Sequence, residues 1–138
     1  MADKKTGAGL RGQVAGVSAI CTVSAGHSGL NYYGYEVGDL AEHCEFEEGA
    51  YLLFNGELPT RVQLDAYKAK LNSLRNLPDV LKEVLERIPA SAHPMDVMRT
   101  GTSVRGNLET EQDFSEQLNT ADRLLATLPG MIAYWYRY

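Results

Sequence analysis

The chain has 138 residues, 44% of them hydrophobic and 22% charged. That is one globular domain by length, and a chain near this size buries roughly 68–70% of its unfolded surface. Thirteen Lys and Arg against 18 Asp and Glu leave a net charge of -5, and the longest basic run is Lys4-Lys5, so no nucleic-acid partner is expected.

No stretch approaches the roughly 18 apolar residues that span a bilayer, so no membrane partner is expected either. Residues 1–9 are polar and do not read as a secretory signal. Two cysteines, Cys21 and Cys44, are too few for a disulfide scaffold and are expected as free thiols in a reducing compartment. Together these features predict a soluble, cytoplasmic protein.

Residues 1–8 are expected to be disordered. Residues 7 to 38 hold eight of the 13 glycines. They also carry short β-favouring runs: Val14, Val17, Ile20 and Val23, then Tyr32, Tyr33, Tyr35 and Val37. This texture predicts a small β-hairpin region over 9–38. Residues 39–138 read as helices. Asp39 is the expected cap of a short turn through His43. Glu45 to Asn55 has Phe46, Ala50, Leu53 and Phe54 at helical spacing, and Gly56 stops it. Thr60 is the expected N-cap of a helix carrying Leu64, Tyr67, Leu71 and Leu74. Pro78-Asp79 opens a helix with Val80, Leu81, Val84, Leu85 and Ile88 on its stripe, and Pro89 ends it. Pro94 starts another, with Met95, Val97 and Met98. Phe114, Leu118, Ala121, Leu125 and Leu128 form the last stripe, broadened by Leu124, Met131, Ile132 and Trp135; Pro129 is expected to kink or break it. The predicted fold class is all-α with a small N-terminal β appendage.

Little in this chain matches a ready-made catalytic pattern. His27, His43 and His93 stand far apart, and no H-x-x-x-H or C-x-x-C pairing exists, so no metal site is expected. His93 precedes Pro94 and reads as a capping or packing residue. Glu45, Glu47 and Glu48 should raise the Cys44 thiol and make it a poor nucleophile. Arg11, between glycines, and the Arg99 and Arg105 pair lie outside any phosphate-loop pattern; each alone reads as a solvated surface arginine. The ending Tyr134-Trp135-Tyr136-Arg137-Tyr138 puts aromatics all round a helix, which predicts cover from a further element or self-association.

Three segments carry a resemblance. Leu58-Pro59-Thr60 follows a helix that ends in Asn55-Gly56. His93-Pro94-Met95-Asp96-Val97-Met98-Arg99-Thr100-Gly101 follows a proline-bounded helix. Gly9-Leu10-Arg11-Gly12 leads to Ala19-Ile20-Cys21-Thr22-Val23 and then Tyr33-Gly34-Tyr35. Over residues 9–138 the chain resembles the N-terminal part of the large domain of the citrate synthase family, truncated. With Glu45-Phe46-Glu47-Glu48, the nine-residue string looks most like the bacterial branch that uses propionyl-CoA.

The resemblance implies a cytoplasmic, homodimeric acyltransferase that condenses propionyl-CoA with oxaloacetate in propionate catabolism. It implies no cofactor, acyl-CoA being a substrate, and no metal. In the family two histidines and an aspartate do the acid–base work, one beside a Gly-Gly-Ala-Asn segment and one in a Gly-His-Pro segment. Neither segment occurs in these residues, and His93 stands in a different context, so no catalytic residue is assigned. Tyr33 is a smaller departure, since the family commonly has arginine before this Gly-Tyr. Some members place an arginine in the early Gly-x-Arg-Gly segment and another in a Tyr-Arg pair after a Leu-Pro break, both reaching coenzyme A phosphates. Arg11 and Arg137 match these positions. Two other readings stay open: a segment of an acetyl-CoA-using citrate synthase, and a non-catalytic helical interaction module.

Overall fold

The computed structural model describes residues 16–23 and 29–138. Arg11, Val14 and His27 lie outside the described residues. The chain divides between Leu58 and Pro59 into two compact units.

The first unit opens with three short antiparallel strands in the order β1 (Cys21–Val23), β2 (Leu30–Tyr32), β3 (Tyr35–Glu36). Cys21 pairs with Tyr32, and Tyr32 with Tyr35. Tyr33 and Gly34 form the two-residue turn, both at positive φ (47° and 90°), as a hairpin loop matched to the strand twist requires. Val17 and Ile20 are exposed and precede β1, and the Ile20 carbonyl accepts the Tyr33 N–H at 2.9 Å. Helix α1 (Val37–His43) follows directly and contacts β2 and β3. It begins two residues before the expected Asp39 cap; Glu36 is the N-cap, and Asp39 sits in the first turn, where its charge suits the helix dipole.

Helix α2 (Phe46–Asn55) starts at a capping box between Glu45 and Glu48 and ends at Gly56, which is left-handed (φ 83°). A Cβ at Gly56 would lie 3.5 Å from the Tyr33 ring. Ala50 and Leu52 are the buried residues, whereas Phe46 is exposed. Phe46 opens the helix, and helical side chains lean toward the N-terminus, so no earlier turn lies beneath it.

The second unit holds four helices. Helix α3 (Arg61–Ser73) is capped by Thr60: Thr60 N–H donates to Gln63 Oε1 at 2.8 Å, and Gln63 N–H donates to Thr60 Oγ1 at 3.4 Å. It buries Leu64, Tyr67 and Leu71. Helix α4 (Asp79–Glu86) buries Leu81 and Leu85 completely. Val80 is half-exposed, since one step along a helix turns the side chain by about 100°. Helix α5 (Pro94–Leu108) has His93 as its N-cap, and Nδ1 accepts the Met95 N–H at 3.2 Å, the capping role read from sequence.

A 3-10 turn (Phe114–Glu116), capped by Asp113, leads into helix α6 (Gln117–Arg137). The Ser115 N–H donates to the Asp113 carboxylate and holds its pKa below the usual value. Helix α6 runs unbroken through Pro129, so the break expected as one of two outcomes there is absent. The missing N–H costs one rung, but Ala126, Thr127 and Met131 are buried on either side and hold the helix in place. The buried residues of α6 are Asp122, Ala126, Thr127 and Met131; of these Met131 was expected on the stripe, whereas the expected Phe114 and Leu118 are exposed.

Leu77, Leu81, Leu85, Val97 and Met131 form the core, with Leu128, Ile132, Tyr134 and Trp135 packed against it. Much of the aromatic ending is thus covered by α4 and α5 of the same chain, which removes much of the surface expected to drive self-association.

Candidate functional site

The last turn of α6 anchors two of its aromatics, and the Tyr138 ring stacks on Tyr134 at a centroid distance of 6.4 Å. Tyr134 donates its hydroxyl to Glu86 Oε1 at 2.6 Å, and Trp135 Nε1 donates to the Ile88 carbonyl at 3.2 Å. Tyr134 anchors α6 on α4, and Trp135 anchors it on Ile88, just past the end of α4. The hydrogen bond to Glu86, then burial, then the Glu86 charge push the Tyr134 phenol up to about 12. Tyr136, Arg137 and Tyr138 face solvent. Arg137 therefore presents a guanidinium between two exposed tyrosines, and it makes no ion pair among the described residues. That is a fitting disposition for a group that meets a multiply charged anion. Arg11 lies outside the described residues, so the two arginines are not brought together here.

Arg99 and Arg105 part company. Arg99 is an exposed residue paired with Asp96 at 3.2 Å, as expected. Arg105 is buried, 7% exposed, which corrects the surface reading. Val97, Gly101 and Arg105 recur at every fourth position and line the buried face of α5. That spacing was the available signal, obscured because charge usually marks the outer face. Arg105 Nη2 donates to Glu109 at 3.2 and 3.4 Å, and Arg123 Nη1 donates to the same carboxylate at 2.7 Å. Arg105 Nε and Nη1 are buried without a partner. Beside this group lies a cavity of about 110 Å³, lined by Thr102, Arg105, Glu109, Thr120 and Arg123 among others.

A second polar group that went unrecognised in the sequence ties α3 to α6. Asp122 is buried, and accepts from Tyr67 Oη at 2.8 Å and from Lys70 Nζ at 2.5 Å. Lys70 also reaches Asn119 at 3.3 Å. Every strong contact of Asp122 is to a neighbouring helix, so the group serves as a clamp.

The remaining candidates offer little chemistry. His43 Nδ1 donates to the Asp39 carbonyl on its own helix at 3.1 Å. The Cys44 thiol is pushed up by burial first and by the Glu48 charge second, so the expected direction holds with a different leading cause. Among the described residues no cluster of His, Cys, Asp and Glu is placed to hold a metal ion. No described helix is long and apolar enough to cross a membrane.

The family described as citrate synthase, C-terminal domain, matches residues 9–138. The chain is 65% identical over 137 residues to 2-methylcitrate synthase of Shewanella oneidensis, covering 99% of this chain and 36% of that protein. It is 41% identical to 2-methylcitrate synthase 2 of Corynebacterium glutamicum, covering 91% of this chain and 33% of that one. The structure matches citrate synthase of Thermotoga maritima with a TM-score of 0.80 and 35% identity, over 94% of this chain and 34% of that one. The chain belongs to the citrate synthase family, and its mostly helical fold is the fold of that family. It spans about a third of the length of the relatives it matches.

Proposed function

We propose that this chain is the N-terminal part, over residues 9–138, of the large domain of a 2-methylcitrate synthase. In that reading the whole enzyme is a cytoplasmic homodimer that condenses propionyl-CoA with oxaloacetate to give 2-methylcitrate and CoA in propionate catabolism. Acyl-CoA enters as a substrate, and no cofactor takes part. The observation that carries the reading is the 65% identity to the Shewanella oneidensis enzyme across 99% of the chain. A citrate synthase using acetyl-CoA is the less supported substrate assignment, since a relative of that name from Mycolicibacterium smegmatis is 38% identical.

The contribution of this segment is structural and electrostatic. The helices of the second unit give α6 a rigid seat, and α6 ends by presenting Arg137 to solvent. Arg11 and Arg137 hold phosphates of coenzyme A. The acid–base residues are absent, because neither Gly-Gly-Ala-Asn nor Gly-His-Pro occurs in these residues. The chain by itself therefore has binding groups and no means of enolising a thioester.

Replacing Arg11 or Arg137 with Ala in a longer enzyme that carries this segment tests the assignment. The apparent KM for propionyl-CoA should rise about tenfold or more, while the KM for oxaloacetate stays level, as expected when one charge-assisted contact to one substrate is lost. An unchanged acyl-CoA KM in both variants would make them ordinary surface residues.

A further inference from the structure

The last turn of α6 is fixed by two side-chain bonds to one place on the neighbouring helix. Tyr134 Oη donates to Glu86 Oε1 at 2.6 Å, and Trp135 Nε1 donates to the Ile88 carbonyl at 3.2 Å. Glu86 is the last residue of α4, and Ile88 lies two positions beyond it. Both aromatics also pack against the core of Leu81, Leu85 and Met131.

Arg137 follows Tyr134 by three positions. Helical residues at that spacing share a face, and their side chains lean toward the N-terminus, so the Arg137 stem rises from the turn that Tyr134 holds. The next residue is held there too: the Tyr138 ring stacks on Tyr134, and the Tyr138 N–H donates to the Tyr134 carbonyl at 3.0 Å. Neither Glu86 nor Arg137 forms an ion pair among the described residues. The carboxylate is engaged by a neutral phenol, which leaves the exposed guanidinium available to an anion. The same bond pushes the phenol up to about 12, so Tyr134 stays a donor throughout the neutral range.

We propose that Tyr134 and Glu86 are positioning residues for the acyl-CoA site: their hydrogen bond fixes the last turn of α6, and with it the place where Arg137 meets a phosphate of the acyl-CoA. The inference rests on the reading of Arg137 as a phosphate contact. Tyr134 and Glu86 act through Arg137 and do not touch the substrate. A bond between a guanidinium fork and a phosphate depends on where the fork stands, so loosening the turn weakens the contact without removing the group.

The test is a double-mutant cycle in a longer enzyme that carries this segment, read as KM and kcat with propionyl-CoA and oxaloacetate. Tyr134→Phe keeps the ring and drops the hydroxyl. It should raise the apparent KM for propionyl-CoA about threefold or more, while kcat and the oxaloacetate KM stay level. On an Arg137→Ala background the same substitution should change the acyl-CoA KM no further. Glu86→Leu should behave as Tyr134→Phe does, and takes its place in the cycle if that variant does not fold. Glu86→Gln, whose amide oxygen still accepts, should restore much of the wild-type KM. A level acyl-CoA KM in Tyr134→Phe, where Arg137→Ala raises it, would overturn the positioning role and leave the Arg137 reading standing. So would an equal rise with and without Arg137, or a Gln variant no better than Leu. A level acyl-CoA KM in Arg137→Ala would instead remove the phosphate contact itself, and this inference with it.

Discussion

Tyr134 bonds Glu86 across 48 positions of sequence at 2.6 Å, and it gives the fold a dependence on alkaline pH. The bond favours the neutral phenol, so the folded-state pKa rises from 10.0 to about 12. A group whose pKa is raised by folding contributes its stability fully below the unfolded value and loses it as pH passes the folded one. Stability should therefore fall between about pH 10 and 12, and Tyr134→Phe should lack that part of the decline. Denaturant midpoints of both proteins across this range check it; identical declines would mean the bond is absent in solution. The residues legible from sequence were those with local partners. Thr60 with Gln63 and His93 with Met95 are three and two positions apart. Asp122 was missed because its partner Tyr67 lies 55 positions away, and no local pattern marks a carboxylate that a distant phenol and ammonium will neutralise.

Among the helices, α5 and α6 approach closely at Gly101. A Cβ built there would lie 2.9 Å from Met131 Sδ and 3.6 and 3.7 Å from Leu85 and Leu81. Met131, Leu85 and Leu81 are all fully buried, so the sulfur has little room to yield. Overpacking of this kind costs about 1–3 kcal/mol, against a helix-propensity gain of about 1 kcal/mol on replacing Gly with Ala. Gly101→Ala should thus destabilise the chain by about 1 kcal/mol on balance, seen as a lower denaturant midpoint with an unchanged slope. A more stable variant would show that the two helices sit further apart than described. The helices themselves were legible because prolines and capping residues punctuate them. The buried face of α6 was less so: polar Asp122 and Thr127 are buried once partnered, as Thr127 is with the Arg123 carbonyl at 2.6 Å. The hydrophobic stripe alone marks Leu128, Met131, Ile132 and Trp135 of the seat and misses its polar members. The break is absent at Pro129 for a similar reason, since packing outweighs one missing hydrogen bond.

At the scale of the whole molecule, the family was legible because a nine-residue string, His93 to Gly101, sits at the start of a helix that packs against the core of the second unit. The chain offers the exposed Arg137 on a well-seated helix and spans about a third of its relatives. The exposure of Arg137 was legible in the sequence; the burial of Arg105 emerged only from the fold, since a charged residue at a core-facing position cannot be told from a surface one until its neighbours are known. The proposed reading separates binding from chemistry: this segment supplies the first and lacks the groups for the second. General acid–base groups typically contribute about 10²–10⁴-fold each, so their joint absence should leave no measurable condensation. Release of free thiol from propionyl-CoA in the presence of oxaloacetate, followed with the purified chain, should match the protein-free blank. Turnover above that blank would contradict the reading, because it would place a working acid–base set within these 138 residues.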